Sequence, residues 1–160
     1  QIISGFNPVD ANATEDDRLA AFYTAVSFAK RILLNEIKAA IAWVEAKDQV
    51  LKAPVENRVL ILEKYAPWQE HIFSREDFDD LLYVTYPSLR GGWNVQQIPV
   101  EPESFEGKKP LPKEWAGLRN EDLEEKTGVQ GAEFCHPGRF IGGACSKETT
   151  LQLADLAVDA

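Results

Sequence analysis

From Glu15 to about Leu51 the apolar residues Leu19, Phe22, Val26, Ala29, Ile32, Leu33, Ile37, Ala40, Ile41 and Val44 recur at helical spacing. That spacing predicts a long amphipathic helix, unbroken or broken once, whose apolar side packs on a sheet. Thr14 is placed to cap it, because its hydroxyl can accept from an orphan amide of the first turn, and Glu15, Asp16 and Asp17 suit the positive end of the helix dipole. Pro54 marks the end.

Beyond Pro54 the pattern shortens. Arg58 to Leu62 reads as a buried strand, and a helical turn is expected after Pro67. Leu81 to Tyr86 and Trp93 to Ile98 read as two strands joined by punctuation at Pro87 to Gly92, so residues 81 to 100 should form an antiparallel hairpin. Pro99 to Pro112 holds four prolines and should run over the surface. Asn120 is expected to cap a short helix, Glu121 to Lys126, stopping near Gly128. Ala132 to Cys135 reads as a further strand, with Arg139 to Ile141 continuing or following it. Ser146 then caps a final helix with Leu151, Leu153, Ala154 and Ala157 on its apolar side. The fold class is α+β: a mixed or antiparallel sheet, a long N-terminal helix, and a C-terminal helix after a Gly-Gly turn. Residues 1 to 160 are expected to form a single domain, with 1 to 55 its helical segment and 56 to 160 its α+β core.

Composition narrows the classes. With 160 residues and 44% hydrophobic content the chain can bury a core. It begins at Gln1 and contains no Met, which suggests a portion of a longer polypeptide. No apolar run has the roughly 18 residues of a membrane span, and no signal-peptide pattern opens the chain, so a soluble cytoplasmic protein is expected, organellar or nuclear if eukaryotic. Cys135 and Cys145 are too few for a disulfide framework or a four-ligand zinc site and should be free thiols. Seventeen basic residues against 26 acidic give a formal charge of −9, spread over both halves. That argues against a dedicated nucleic-acid-binding module, and any phosphate contact must come from a local cluster.

The chemistry-bearing stretch runs from Cys135 to Glu148. It contains Cys-His-Pro-Gly-Arg-Phe-Ile-Gly-Gly-Ala-Cys-Ser-Lys-Glu and reads as a strand, a glycine-rich turn and a helix start. Glycines let a ligand approach the backbone, and uncapped amides at a helix start can bind an anion. An anion beside Gly142 and Gly143 is therefore expected, with Arg139 adding a forked contact, His136 reaching the same oxygen, and Lys147 flanking. An ordinary tight turn is the alternative. Arg119 can meet a phosphate or pair with Glu121 or Asp122. Lys108, Lys109 and Lys113 read as a solvated face, Trp93 and Trp115 as core or as base-stacking platforms, and Glu76, Asp77, Asp79 and Asp80 as solvated surface.

The core Gly138-Arg139-Phe140-Ile141-Gly142-Gly143, within His136 to Lys147, closely resembles the C-terminal signature of the melanocyte-proliferating-gene family of metal-dependent hydrolases, in the DHH phosphoesterase superfamily. Pro67 to His71, Trp93 to Val100 and Pro110 to Arg119 match in the family's order, covering about residues 60 to 158. The resemblance implies hydrolysis of phosphodiesters, as a 3′-to-5′ RNA exonuclease, with Mn²⁺ or Mg²⁺ held by an N-terminal half. The metal-bearing motifs have no counterpart among the two histidines here, His71 and His136. Substrate contacts are expected at His136, Arg139, Gly142, Gly143, Arg119 and Lys147, with no catalytic or metal-ligating residue and no cofactor in this chain. The expected partners are short RNA or another phosphodiester and the N-terminal catalytic domain. A homo-oligomer is left open, as is a role for His71. A binding or assembly module, with a helix that docks a partner and a glycine turn that is only structural, is the alternative.

Overall fold

A computed structural model describes residues 3–160 and divides the chain into two compact units, Gln1–Val44 and Glu45–Ala160, with the boundary inside one helix. That helix, α1, runs unbroken from Glu15 to Lys52. Its start is a reciprocal capping box. The Thr14 hydroxyl accepts from the Asp17 amide at 3.2 Å, and the Asp17 carboxylate accepts from the Thr14 amide at 2.9 Å.

In the first unit a 3-10 turn, Ile3–Phe6, precedes the helix, and Phe6 meets Phe28 with ring centroids 5.3 Å apart. Contrary to the expectation of a packed apolar face, Leu19, Phe22, Val26, Ile32, Leu33, Ile37, Ile41 and Val44 are all exposed. Helical periodicity shows that a face is apolar and does not specify what covers it. Within the helix only Ala25, Ala46 and Val50 are buried.

The second unit holds a six-stranded mixed sheet built from β1 (Val55–Glu56), β2 (Val59–Ile61), β3 (Tyr83–Pro87), β4 (Trp93–Gln97), β5 (Ala132–Cys135) and β6 (Ile141–Ala144), in the order β1-β2-β3-β4-β6-β5. The β3–β4 hairpin is antiparallel, as its punctuation predicts, and β2 pairs with β3 in parallel. The helical turn expected after Pro67 forms slightly later, as a 3-10 helix at His71–Ser74. Helix α2 spans Asn120–Thr127 and ends where Gly128 takes a left-handed conformation, φ 73°. Its cap is Arg119 rather than Asn120, which sits inside the helix at φ 44°. Arg119 is drawn into extended backbone because it bridges Phe134 while Cys135 donates its amide to the Leu118 carbonyl at 3.0 Å. Helix α3, Lys147–Asp159, is capped by Ser146 as expected.

The sheet has two unlike faces. On one, Tyr83, Val95, Ala132, Cys135 and Ala144 pack with Leu111, Trp115, Leu123 and with Leu153, Ala154 and Ala157 of α3. On the other, Leu60, Val84 and Tyr86 pack with Val50, Trp68, Ile72, Leu81 and Ile98. Residues paired across strands share a face, so this second face continues from Tyr86 to Asn94, Gly143 and Phe134, and from Val84 to Gln96 and Ile141. There it changes character. Asn94, Gln96, Phe134 and Ile141 are only half-buried, and the face becomes polar and open. The two cores together cover one face and half of the other, leaving this end of the sheet available.

Candidate functional site

Two hairpin turns and one loop frame the open end of the sheet. The first turn joins β3 to β4. The Ser88 amide donates to the Gly92 carbonyl at 3.0 Å, the Gly91 amide to the Ser88 carbonyl at 3.2 Å, and Gly91 and Gly92 adopt φ of 96° and 67°. The glycines are needed here because a side chain at either would be strained, and one at Gly92 would also lie 2.6 Å from the Ala144 carbonyl oxygen. This turn presents Arg90. Across from it, the extended backbone at Arg119 carries its guanidinium to 6.0 Å from the Phe134 ring centre. Ser88, Arg90, Asn94, Arg119, Glu133 and Phe134 line a cleft of about 480 Å³ between them. Among the described residues neither arginine pairs with a carboxylate within 4.0 Å, so Arg119 joins neither Glu121 nor Asp122. Arg90 and Asn94 escaped the sequence reading because Ser-Leu-Arg-Gly-Gly reads as turn punctuation. The arginine inside that turn was the available signal.

The second turn joins β5 to β6 and holds His136 and Arg139. The Arg139 amide donates to the His136 carbonyl at 2.8 Å, and the His136 amide to the Ile141 carbonyl at 2.9 Å. The His136 Nδ1 accepts from the Gly138 amide at 3.0 Å, so the neutral ring carries its proton on Nε2. The ring leans on Phe140, centroids 4.4 Å apart. Arg139 sits at φ 59°, and its Nη1 donates to the Leu111 carbonyl at 3.2 Å while its own carbonyl accepts from the Leu111 amide at 2.9 Å. It therefore clasps the Pro110–Pro112 segment to the turn.

Gly142 and Gly143 do not form the expected turn before the last helix. They lie within β6, an inner strand paired with β4 on one side and β5 on the other. Strand pairing on both sides occupies their backbone polar groups, and both residues are buried. The absence of side chains serves packing instead: a Cβ at Gly143 would lie 2.5 Å from Phe134 Cε1, and one at Gly142 would lie 3.0 Å from the Phe134 carbonyl oxygen and 3.2 Å from Leu111 Cδ1. The start of α3 is satisfied internally. Ser146 Oγ accepts from the Thr149 amide at 3.1 Å, and Glu148 in the first turn is held below the usual carboxylate range by its own backbone amide and Ser146. Lys147 pairs with Glu63 rather than Glu148 and lies 5.8 Å from the Trp93 ring centre.

The lysines assigned to a solvated face are half-engaged. Lys108 Nζ donates to the Phe78 carbonyl and sits 3.5 Å from that ring's centre, while Lys109 Nζ donates to the Val158 carbonyl at 2.8 Å in the last turn of α3, where a cation is favoured. Trp115 and His71 are buried. Both cysteines are free. Cys135 is buried, and burial pushes its thiol up to about 11. Among the described residues no three His, Cys, Asp or Glu side chains converge into a group that could hold a metal ion. No helix among them is long and apolar enough to cross a membrane.

The structure therefore gathers the expected site residues into two places. Arg119 joins Arg90 and Asn94 at the cleft, with Phe134 resting on Gly143 as its wall. His136 and Arg139 share the β5–β6 turn, at the other end of the strands from the β3–β4 turn. Lys147, just past the Ala144 end of β6 that pairs with Trp93, is held by Glu63.

Comparison with known proteins now adds identity. A family model named for the MYG1 exonuclease, described as an uncharacterised protein family (UPF0160), matches residues 1–158. The MYG1 protein YER156C of Saccharomyces cerevisiae is 31% identical over 170 residues, covering 98% of this chain and 50% of the relative. The MYG1 exonuclease of Rattus norvegicus is 32% identical, covering 95% of this chain and 43% of the relative; that of Homo sapiens is 36% identical, covering 69% and 31%. The chain thus spans about half the length, or less, of the curated relatives it matches. No solved structure matches it significantly. With a family model matched across nearly its whole length, the chain belongs to the MYG1 exonuclease family.

Proposed function

We propose that this chain is the substrate-binding part of a metal-dependent phosphoesterase of the DHH superfamily, acting as a 3′-to-5′ RNA exonuclease whose Mn²⁺ or Mg²⁺ is held by residues outside this sequence. The observation that supports it is the cleft that Arg90 and Arg119, neither paired with a carboxylate among the described residues, line together with Asn94 and Glu133 on the open end of the sheet. In a chain of formal charge −9, two arginines against the one carboxylate of Glu133 make the cleft locally positive in a field that otherwise repels polyanions. Guanidinium groups grip phosphate through forked, charge-assisted hydrogen bonds. His136, with Nε2 as donor, and Arg139 extend the same contact surface, and Gly142 and Gly143 contribute by letting Phe134 lie close against the strand. Lys147 contributes only when it leaves Glu63.

The test is fluorescence anisotropy with short single-stranded RNA at low salt. Arg119→Ala and Arg90→Ala should each weaken binding about threefold to tenfold, the size of one solvent-exposed charge-assisted contact. Wild-type affinity in both variants would remove the cleft from the reading. The chain alone should not hydrolyse RNA with either metal, because two-metal hydrolysis needs a convergent set of ligands. Turnover that survives repurification and disappears on a point change within this chain would refute that.

A second reading, an assembly module, is favoured by one observation: the exposed apolar side chains of α1 from Leu19 to Val44, which include Phe22, Tyr23 and Trp43.

A further inference from the structure

Next to the cleft, β4 presents Gln96 and Gln97 to a second pocket of about 440 Å³, closed by the Pro99–Gly107 loop. The loop is folded back on itself, with the Val100 amide donating to the Glu106 carbonyl at 3.0 Å and a bridge between Pro99 and Gly107. A Cβ at Gly107 would overlap the Gln97 carboxamide, so the glycine lets that side chain keep its place. Three features of this pocket call for an occupant. Trp68 and Gln97 both line it and are buried, yet Trp68 Nε1 and Gln97 Oε1 have no hydrogen-bond partner among the described residues. A buried donor and a buried acceptor left unpaired are costly, and native proteins rarely leave such groups without a ligand or water. Phe105, on the loop, is fully exposed, and Phe140, although it meets His136 on one side, is also more than a third exposed, so both walls offer open aromatic surface. The only charged group on the lining is the acidic Glu106, which disfavours a phosphate there.

We propose that this pocket binds an uncharged planar heteroaromatic ring, a nucleobase, between Phe105 and Phe140, with the Trp68 indole N–H donating to a ring nitrogen or carbonyl and Gln97 Oε1 accepting from an N–H of the ring. A base edge offers both kinds of group, and aromatic walls accept any base face. Gln96, whose Oε1 accepts from the Tyr86 hydroxyl at 2.5 Å, is held in place beside it. Asn94 and Gln96 share one face of β4, so the arginine cleft and the base pocket lie about 7 Å apart along the strand. The pocket rests on the substrate-side reading only for the source of the base, which is RNA rather than a free nucleotide.

The full chain, labelled with nitrogen-15, should be titrated with adenosine, uridine and ribose 5-phosphate while the Trp68 indole N–H resonance is followed. Adenosine and uridine should move that resonance, and ribose 5-phosphate should not. Phe105→Ala, a change at a fully exposed side chain, should weaken adenosine binding about tenfold, in the range known for base stacking. Unmoved resonances at millimolar adenosine and uridine, or undiminished affinity in Phe105→Ala, would overturn the pocket. Short RNA and the same RNA lacking its terminal base separate the sources. If RNA binding depends on Arg119 but not on the terminal base, the pocket fails as an RNA subsite and the arginine cleft stands. Should adenosine bind while RNA does not, the pocket stands as a free-nucleoside site and the RNA reading fails.

Discussion

At Gly143 the missing side chain is what allows Phe134 to lie against the strand, and Phe134 in turn backs the Arg119 guanidinium. A methyl group here would have to displace an aromatic ring and press on the Trp93 carbonyl oxygen at 3.0 Å. Gly143→Val is therefore expected to destabilise the protein by about 1–3 kcal/mol, the usual cost of overpacking a filled site. Urea unfolding of Gly143→Ala alone and combined with Phe134→Ala gives the mechanism: the cost should shrink when the ring is absent, because the two positions are in contact. Equal costs in both backgrounds would mean that the backbone, not Phe134, requires the glycine. Glycines in the stretch after His136 were legible as special. The sequence could not say whether they served a ligand, a turn or a neighbouring ring, since each demands the same absent Cβ.

Among the elements, the end of α1 depends on a side chain from elsewhere in the chain. Arg75 Nη1 donates to the carbonyls of Val50 at 2.6 Å, Leu51 at 3.1 Å and Ala53 at 3.2 Å, while its Nε and Nη2 hold Asp77 at 2.7 Å. These are the carbonyls that a helix C-terminus leaves without intrahelical partners, and a cation there also suits the dipole. Removing it in Arg75→Ala should cost about 2–3 kcal/mol, as expected for hydrogen bonds to a charged group at a side chain only 9% exposed. Arg75→Lys should recover little, because an ammonium cannot span three carbonyls and a carboxylate at once. Hydrogen exchange of residues 46 to 52 would report the loss, and unchanged protection in Arg75→Ala would show that packing of Val50 alone holds the helix end. The hydrogen bond from Arg75 keeps Asp77 below the usual carboxylate range. A lowered carboxylate contributes stability that is present above its ordinary pKa and is lost as pH falls through the folded value. Asp77→Asn should accordingly flatten part of the acid limb of stability.

On the scale of the whole molecule, the buried phenols and thiol set the alkaline limit. Burial pushes Tyr86 up to about 12 and Cys135 up to about 11, and Tyr83 higher still. Each group stays protonated in the folded protein at pH values where the unfolded chain has already lost the proton. Their contribution is complete below the unfolded values and drains away as pH rises, from about pH 9 for the thiol and about pH 10 for the phenols. The urea midpoint should fall steadily over that range, and Tyr86→Phe should make the fall shallower. A midpoint that is flat up to pH 11 would count against these burials. Salt carries a second expectation. Under the proposed function, in which Arg90 and Arg119 meet phosphate, RNA affinity should fall with salt at a slope of about −1.4 on logarithmic axes, and at about −0.7 after Arg119→Ala. A steep slope retained in the variant would place the phosphate contacts elsewhere.

The sequence by itself determined the local elements whose signals are local. Thr14 and Asp17 start the long helix and Ser146 starts the last one, because capping needs only a hydroxyl or carboxylate within one turn of orphan amides. Gly128 ends α2 because only a residue tolerant of positive φ can do so cheaply, and the apolar runs with their turn residues placed the β3–β4 hairpin. Tertiary structure alone decided the rest. It put Gly142 and Gly143 inside the sheet, brought Arg90 opposite Arg119 over about 30 residues of chain, tied Lys147 to Glu63, and left the apolar side of α1 exposed from Leu19 to Val44. Periodicity and turn chemistry are set by neighbours in sequence. Which surface covers an apolar face, and which charges meet across a sheet, depends on strand order and pairing between distant segments, and nothing within a single segment encodes it.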